Sequence, residues 1–503
     1  MKHTHTTFRG FTIVELLIVI VVIGILATLA VVGYGGIQQR AGDAVIQSDL
    51  QSAATQLENA KTTNSDRYPS SADDVKKSST TTFSYSYDAG TNSYCLTATS
   101  SQNGVPVYHI DSETKTVQAG ACPTVSVVAS QIQTATNTGC SLISSQLYCW
   151  GDSTYGQLGD GGSGSSIVAV PVLTTGVLSG KTITAVASNG SGGYHTCAIA
   201  DGEAYCWGNA TLAGKLGNNS TANSNVPVAV STSGVLAGKT VTQITVNVYH
   251  SCAVADGAAY CWGDNANSRF GNGGTTNSLV PTPVSTSGVL AGKTVTALAA
   301  GEHHSCAIAD GAAYCWGAGS LGRLGDNLLT SSSVPVAVST SGVLAGKTVT
   351  AISSSYGHTC AIADGAAYCW GYNSTGQVGD NTTTNAAAPV AVSTSGVLAG
   401  KTVTAISAGN AHTCAIADGE AFCWGSGAIG KLGNNSTANS YVPVAVSTSG
   451  VLAGKTVTAI SAGSNFSCVI AADEAYCWGY NANGKLGNGT TIDSYVPTAV
   501  TMP

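Results

Sequence analysis

Fourteen of the sixteen cysteines recur at one spacing, Cys-x8-Cys. Cys140 stands with Cys149, Cys197 with Cys206, Cys252 with Cys261 and Cys306 with Cys315; Cys360 stands with Cys369, Cys414 with Cys423 and Cys468 with Cys477. Thiols so arranged serve as disulfides or as metal ligands. Five pairs enclose Asp-Gly at the fourth and fifth positions after the first Cys, at Asp201, Asp256, Asp310, Asp364 and Asp418. Asp-Gly between alternating runs is the strongest short hairpin signal. The first and last units carry Ser144-Ser145 and Ala472-Asp473 there instead. A two-residue turn sets the two cysteines directly opposite, in a non-hydrogen-bonded pair whose close Cα approach suits a disulfide. Seven cross-strand disulfides are expected, and with them an oxidising compartment. Zinc wants four converging ligands, and no CxxC spacing occurs.

Other reactive side chains are sparse. His195, His250, His304, His358 and His412 each stand two residues before the first Cys of their unit. A ring of imidazoles would suit a metal. However, Thr138 and Phe466 break the series, and one residue per unit keeps the rings apart, so a structural role is expected. Lys181, Lys239, Lys293, Lys347, Lys401 and Lys455 form a second series. It would hold an anion, or simply be a set of solvated loop lysines. Loops such as Gly379-Asp380-Asn381 offer oxygens of the type calcium uses. No nucleophile–base arrangement, Walker loop or HExxH is present. The reading is a binding protein and not an enzyme, with no cofactor and no metal.

These residues are positioned by internal repetition. Cys-Trp-Gly occurs seven times, centred on Trp150, Trp207, Trp262, Trp316, Trp370, Trp424 and Trp478, at successive spacings of 57, 55, 54, 54, 54 and 54. Residues 124–503 number 380, so seven units of about 54 consume that whole stretch. A period near 50 with short strands and no long helical pattern indicates a propeller. In the unit around Cys414, Thr402–Ser407, Ala411–Ala417, Glu420–Trp424 and Tyr441–Ser447 read as strands. Cys414 and Ile416 face one way, and Ala415, Phe422 and Trp424 the other. A sheet apolar on both faces must be covered on both, which stacking around an axis achieves.

The units differ where a ligand would bind. Ser-Thr-Ser-Gly-Val-Leu-Ala-Gly-Lys-Thr-Val-Thr recurs unchanged from Ser231, Ser285, Ser339, Ser393 and Ser447. Just ahead of the histidine position the units diverge, giving Tyr194, Tyr249, His303, Tyr356, Asn410 and Asn465. These should gather on one face, where Tyr, His and Asn suit an adaptable binding surface. Neutral drift of loops is the alternative.

The pattern Gly301-x-x-His304-Ser305-Cys306-Ala307-Ile308-x-Asp310-Gly311, then Tyr314-x-Trp316-Gly317 and Gly322-Arg323-Leu324-Gly325, resembles the regulator of chromosome condensation repeat family. The resemblance covers residues 124–503 and implies a seven-bladed propeller. It carries function poorly, since one fold hosts many activities. The eukaryotic namesake exchanges nucleotide on a GTPase and touches chromatin, which does not suit an acidic, disulfide-rich version. Bacterial relatives include an inhibitor that caps an enzyme with its loop face, so protein binding is the natural class. Nineteen basic against 26 acidic residues leave a net charge of −7, and only 9% of residues are charged. Phosphate affinity needs clustered Lys and Arg, so no nucleic acid is expected as partner.

The N-terminal segment carries a different signal. After MKHTHTTFRG, residues 11–32 are apolar except for Glu15, a length able to span a bilayer as a helix. Ile46, Leu50, Ala53 and Leu57 then keep helical spacing, so one helix is expected over 11–61. A signal peptide, with small residues at Thr28-Leu29-Ala30, and a plain membrane anchor are two readings. Against both stands Glu15, because a carboxylate at membrane depth is costly without a partner.

Arg9-Gly10 followed by Phe11-Thr12-Ile13-Val14-Glu15-Leu16-Leu17 resembles type IV prepilins. The resemblance implies cleavage by a prepilin peptidase after Gly10 and N-methylation of Phe11. It also implies pairing of Glu15 with the terminal amine of a neighbouring subunit in the filament. Opposite charges in an apolar bundle offset each other's desolvation when paired. Many members carry a proline near the end of the apolar run. This chain has none, and Gly33, Gly35 and Gly36 stand there instead. Three strand-like stretches follow a polar loop. Phe83, Tyr85 and Tyr87 mark the first, Tyr94, Leu96 and Ala98 the second, and Val105–Ile110 is the third. As in many pilins, Cys95 and Cys122 would close a C-terminal disulfide loop worth about 3–4 kcal/mol; free thiols are the other reading.

The expected architecture is a long N-terminal helix with a small antiparallel sheet, a pilin-like α+β unit, followed by an all-β seven-bladed propeller. Residues 1–10 form the leader, 11–123 the pilin-like domain and 124–503 the propeller. The expected role is a minor, tip-located pilin-like subunit that displays the propeller at the cell surface for adhesion or ligand recognition. Its partners would be other pilin subunits through 11–61, the prepilin peptidase, the inner membrane before assembly, and an unknown surface protein or glycan. A tethered or secreted inhibitory propeller, and a pseudopilin of a secretion or DNA-uptake system, are the alternatives.

Overall fold

A computed structural model describes residues 39–62, 68–69, 72, 74–88, 93–101, 105–112, 114–120, 129–188, 194–211 and 213–503. The chain divides into two compact units, Met1–Val125 and Ser126–Pro503.

In the first unit a helix (α1) runs through 39–62. Ile46, Leu50, Ala53 and Leu57 form its buried stripe, each no more than 1% exposed. That stripe packs on Tyr94, Leu96, Ala98 and Ile110. They come from an antiparallel sheet of β1 (Thr81–Asp88), β2 (Ser93–Ser100), β3 (Tyr108–Asp111) and β4 (Gln118–Ala119) in sequential order. Alternation along β2 turns Tyr94, Leu96 and Ala98 to one face, which is why a single helix can cover them. Asp49 on α1 anchors the β1 entry by accepting from the Ser78 and Thr81 hydroxyls, and these bonds hold its carboxyl below the usual range. Cys95 lies on β2 and takes part in a disulfide; Cys122 lies outside the described residues. The apolar run 11–32, with Gly10, Phe11 and Glu15, also lies outside them. No helix among the described residues is long and apolar enough to cross a membrane.

The second unit is an all-β propeller. Its described residues form seven four-stranded antiparallel sheets, each made of four consecutive strands. They span Ala129–Pro171, Ile183–Ala229, Val241–Pro283, Val295–Ala337, Val349–Ala391, Val403–Ala445 and Val457–Ala499, numbered first to seventh here. The first strands of successive sheets contact one another, and that of the seventh touches that of the first. They therefore line the centre, around a cavity of about 160 Å³.

Hairpin register places each Cys opposite its partner; in the fourth sheet Cys306 pairs with Cys315 and Ala309 with Ala312. All seven Cys-x8-Cys pairs are bonded, one in each sheet. In chain order Cys140 is joined to Cys149, Cys197 to Cys206, Cys252 to Cys261 and Cys306 to Cys315. Cys360 is joined to Cys369, Cys414 to Cys423 and Cys468 to Cys477. Their Cα–Cα separations are 4.0–4.1 Å, the close approach of a non-hydrogen-bonded pair. The turn needs two residues of positive φ, and Asp310 (48°) with Gly311 (72°) meets that at little cost. Ser144 (47°) with Ser145 (66°), and Ala472 (48°) with Asp473 (64°), adopt the same turn without glycine. There the register of the cysteine pair overrides the local preference.

Sheets stack disulfide face on tryptophan face. Cys140 and Cys149 of the first sheet pack on Ala198, Tyr205 and Trp207 of the second. Cys360, Ile362 and Cys369 of the fifth pack on Ala415, Phe422 and Trp424 of the sixth. Cys468, Ile470 and Cys477 of the seventh pack on Ile132 and Trp150 of the first. Among the described residues no sheet mixes strands from the two ends of the unit. Packing, side-chain bonds and a short main-chain bridge join the ends: Trp150 Nε1 donates to the Lys485 carbonyl at 2.9 Å, Thr134 N to Ser461 Oγ at 2.9 Å, and Gly489 N to the Ile167 carbonyl at 2.9 Å beside the Val168–Asn488 bridge.

Candidate functional site

The histidine series is a set of bolts between sheets. His195, His250, His304, His358 and His412 are at most 1% exposed. Each Nε2 bonds a hydroxyl of the next sheet: Ser251, Ser305, Thr359, Thr413 and Ser467, at 2.8–2.9 Å. Four of those hydroxyls donate onward to main-chain carbonyls, those of Lys215, Arg269, Gln377 and Lys431. The same four carbonyls accept the indole N–H of Trp262, Trp316, Trp424 and Trp478. A hydroxyl that donates to a carbonyl accepts from the imidazole, so Nε2 carries the proton in these four links. Among the described residues Nδ1 has no hydrogen-bond partner in any of the five rings.

Protonation would place a second N–H in a buried interface with no protein acceptor beside it among the described residues. Burial accordingly pushes the His358 imidazole down to about 4. The unfolded chain, near 6.5, then binds more protons than the fold between these values, so stability falls as pH drops from about 6.5 to 4. The loss for His358 alone is roughly 3 kcal/mol. His358→Phe, imitating Phe466 of the seventh sheet, should flatten the dependence of the denaturation midpoint on pH over that window. An unchanged slope would show that His358 does not carry it.

The six lysines do not form an anion site. Lys181, Lys401 and Lys455 each pair with a glutamate at 2.8 Å, and Lys239, Lys293 and Lys347 with aspartates at 3.6–3.7 Å. The loop around Asp380 is closed on itself: the Asn373 side chain, fully buried, donates to Asp380 and to the Thr382 and Thr384 carbonyls. Among the described residues no cluster of His, Cys, Asp and Glu could hold a metal.

Three of the six variable positions come together. Tyr249, His303 and Tyr356 form a continuous aromatic run over the third, fourth and fifth sheets, with centroid steps of 5.9 and 6.2 Å. Tyr372 extends it by 6.3 Å. All four are half-buried. Tyr194 lies apart and pairs with Tyr155 at 5.2 Å. Asn410 and Asn465 belong to the sixth and seventh sheets and are outside the run; the Asn410 amide donates to the Gly463 carbonyl.

Five of the sheets also carry a buried cation whose role the sequence does not announce. The position of Arg323 in the Gly322-Arg323-Leu324-Gly325 pattern holds Lys215, Arg269 (before Phe270-Gly271), Arg323, Lys431 and Lys485, each at most 5% exposed. Gln157 and Gln377 occupy it in the first and fifth sheets. Repetition of a basic residue beside Leu-Gly is the one signal that could have found them. Three reach the next sheet's variable loop: Lys215 Nζ bonds the Val248 carbonyl, Arg269 Nε that of Glu302, and Lys431 Nζ that of Ser464. Burial lowers Lys215, Lys431 and Lys485 to about 8. The position is crowded: a Cβ on Gly325, whose φ is +68°, would lie 2.7 Å from the Trp370 ring nitrogen.

Around His303 the groups interlock. Arg269 stacks 4.3 Å from the Tyr249 centroid and pairs with Asp264 at 2.8 Å. Its Nη2 and Asn267 Nδ2 reach His303 Nδ1 at 3.4 and 3.3 Å. His303 Nε2 lies 3.3 Å from Glu302. Burial and the two arginines lower His303 to about 4, so it is neutral and its Nδ1 can accept from Arg269 or Asn267. Burial raises the Glu302 carboxyl against the pull of Arg269 and Arg323.

Comparison with known proteins agrees with this geometry. Residues 146–503 match the RCC1-like domain model, and residues 6–31 the prokaryotic N-terminal methylation motif. The ultraviolet-B receptor UVR8 of Arabidopsis thaliana is 28% identical over 368 residues, 72% of this chain and 79% of that protein. The human E3 ubiquitin-protein ligase HERC2 is 31% identical over 63% of this chain, which spans only 6% of that protein. Among solved structures, human WBSCR16 superposes with a TM-score of 0.60 at 24% identity, over 71% of this chain and 95% of that one. Yeast RCC1 (Prp20), solved with Kap60, gives 0.60 at 20% identity, over 75% and 85%. The two structures establish the fold alone. With four-stranded sheets bolted through histidine and tryptophan, and with the family model matching residues 146–503, this chain belongs to the RCC1-like domain family and carries a prokaryotic N-terminal methylation motif over residues 6–31.

Proposed function

We propose that this is a type IV pilin-like subunit that displays a seven-bladed propeller at the cell surface and attaches to a ligand through it. In this reading the leader is cut after Gly10, Phe11 becomes the N-methylated terminus, and Glu15 pairs with the amine of a neighbouring subunit. The methylation motif and the disulfides support a surface location. The propeller region has 380 residues and the pilin-like region after the leader 113, a disproportion that favours a minor subunit near a filament tip. The role is binding and not catalysis.

The observation that carries the binding role is the aromatic run Tyr249–His303–Tyr356–Tyr372. It arises at positions where otherwise near-identical units diverge, and such aromatic clusters dominate binding energy elsewhere. Replacing Tyr249 and Tyr356 together by alanine should weaken attachment of whole cells by at least about tenfold. Both side chains are half-buried at loop positions, so the propeller should keep its thermal midpoint. Unchanged attachment by a folded double variant would refute this face.

A further inference from the structure

We infer that the ligand of the Tyr249–Tyr356 face is a glycan bearing acidic groups, its sugar rings lying on the tyrosines and its anion held by Arg323. The inference rests on the proposed binding face and adds the chemistry of what binds there.

Two observations select a glycan. The face presents aromatic rings in steps of 5.9–6.3 Å, Tyr249 and His303 within 26° of parallel and the next two steps edge-on at 64° and 71°, so that a sugar unit would lie against each tyrosine in turn. Between the rings stand planar polar groups, Asn267, Glu302 and His303, which can both donate to and accept from sugar hydroxyls. The core of a protein interface is depleted in acidic side chains, whereas Glu302 stands among these rings. No exposed large aliphatic side chain among the described residues lies in the loops just ahead of His250, His304 or His358.

The acidic group follows from Arg323. At the equivalent position Arg269 is fully engaged: Nε on the Glu302 carbonyl, Nη1 on Asp264, and the guanidinium on Tyr249. Arg323 sits in the next sheet with Ala318 where Asp264 would be. It is 5% exposed, and its Nη1 donates to the Ser320 carbonyl and hydroxyl at 3.0 and 2.7 Å. Its Nε has no partner, and no carboxylate lies within ion-pairing distance of it among the described residues. Its electrostatic neighbours are Tyr356 and Glu302, so it belongs to the same face. A buried guanidinium with no carboxylate at ion-pairing distance is costly, and an arriving carboxylate or sulfate supplies a close acceptor in the fork geometry Arg favours.

The test uses the full-length protein in detergent on immobilised polymers: hyaluronan (carboxylate), heparin (sulfate), dextran (neutral) and double-stranded DNA. Hyaluronan or heparin should bind at least about tenfold more tightly than dextran, and should weaken with salt. Arg323→Gln should lower that affinity by about tenfold or more. It should fold, because Gln157 and Gln377 hold the same position; Arg323→Lys, as at Lys215, should retain part of the binding. Equal binding to dextran, or acidic binding unaffected by Arg323→Gln, would overturn the acidic class. Arg323-dependent binding to DNA alone would overturn the glycan. If Tyr249→Ala weakens attachment of cells while Arg323→Gln does not, the face stands and its acidic chemistry falls. If neither matters, both fall.

Discussion

Replacing Trp316 by alanine should destabilise the propeller by about 3–5 kcal/mol. The indole is fully buried between the third and fourth sheets, packed with Cys252, Cys261 and Phe270. Its N–H reaches the Arg269 carbonyl at 2.7 Å, and that carbonyl also accepts from Ser305, the hydroxyl bolted to His250. Gly271 lies against the ring, where a Cβ would stand 2.7 Å from it, and so has no side chain to fill the vacated space. The substitution thus opens a cavity and removes one donor from a shared acceptor. Neighbouring sheets hold only each other, so the damage should concentrate at this interface. Chemical denaturation followed by circular dichroism would measure it. A loss below about 1 kcal/mol would mean that the tryptophan series does not hold the sheets together.

Replacing Gly10 by a bulky residue such as phenylalanine should remove the protein from the cell surface altogether. In the proposed processing, cleavage after Gly10 frees the Phe11 amine, the partner for Glu15. With the leader attached, that amine does not exist, and Glu15 stands alone in the apolar run of residues 11–32. An unpaired buried carboxylate costs several kcal/mol, enough to exclude the subunit from an apolar bundle. Glu15→Gln should separate the two steps, with normal cleavage but poor assembly. Surface protein, quantified by protease shaving of intact cells, should be absent for Gly10→Phe. Normal surface amounts would contradict the pilin account.

Much of this fold can be read in the chain because its rules are local. Asp-Gly at a fixed distance from two cysteines determines a hairpin register, and that register leaves Cys197 facing Cys206 and Cys306 facing Cys315. The strands read around Cys414 differ from the observed Val403–Ala408, His412–Ala417, Glu420–Gly425 and Ser440–Ala445 by one or two residues at their ends. The stripe Ile46, Leu50, Ala53, Leu57 likewise identifies the buried side of α1.

What escapes a sequence reading is set by the ring. His304 looks isolated along the chain, and its partner Thr359 lies 55 residues away in the next sheet. The variable residues are expected to share one face, but only the arrangement of neighbouring sheets decides that Tyr249, His303 and Tyr356 touch while Tyr194 pairs with Tyr155. The buried cations are hidden by their type, because Lys and Arg beside Gly read as solvated loop. The side chains of Lys215, Arg269 and Lys431 instead run under the next sheet's loop to reach its carbonyls.

The account as a whole depends on how the chain begins at the cell surface. Mass spectrometry of the N-terminal peptide from sheared surface protein tests this most directly. The account predicts a peptide starting at N-methylated Phe11. A start after Ala30, or an intact Met1, would contradict it, and the propeller would then be a secreted or simply anchored binding module.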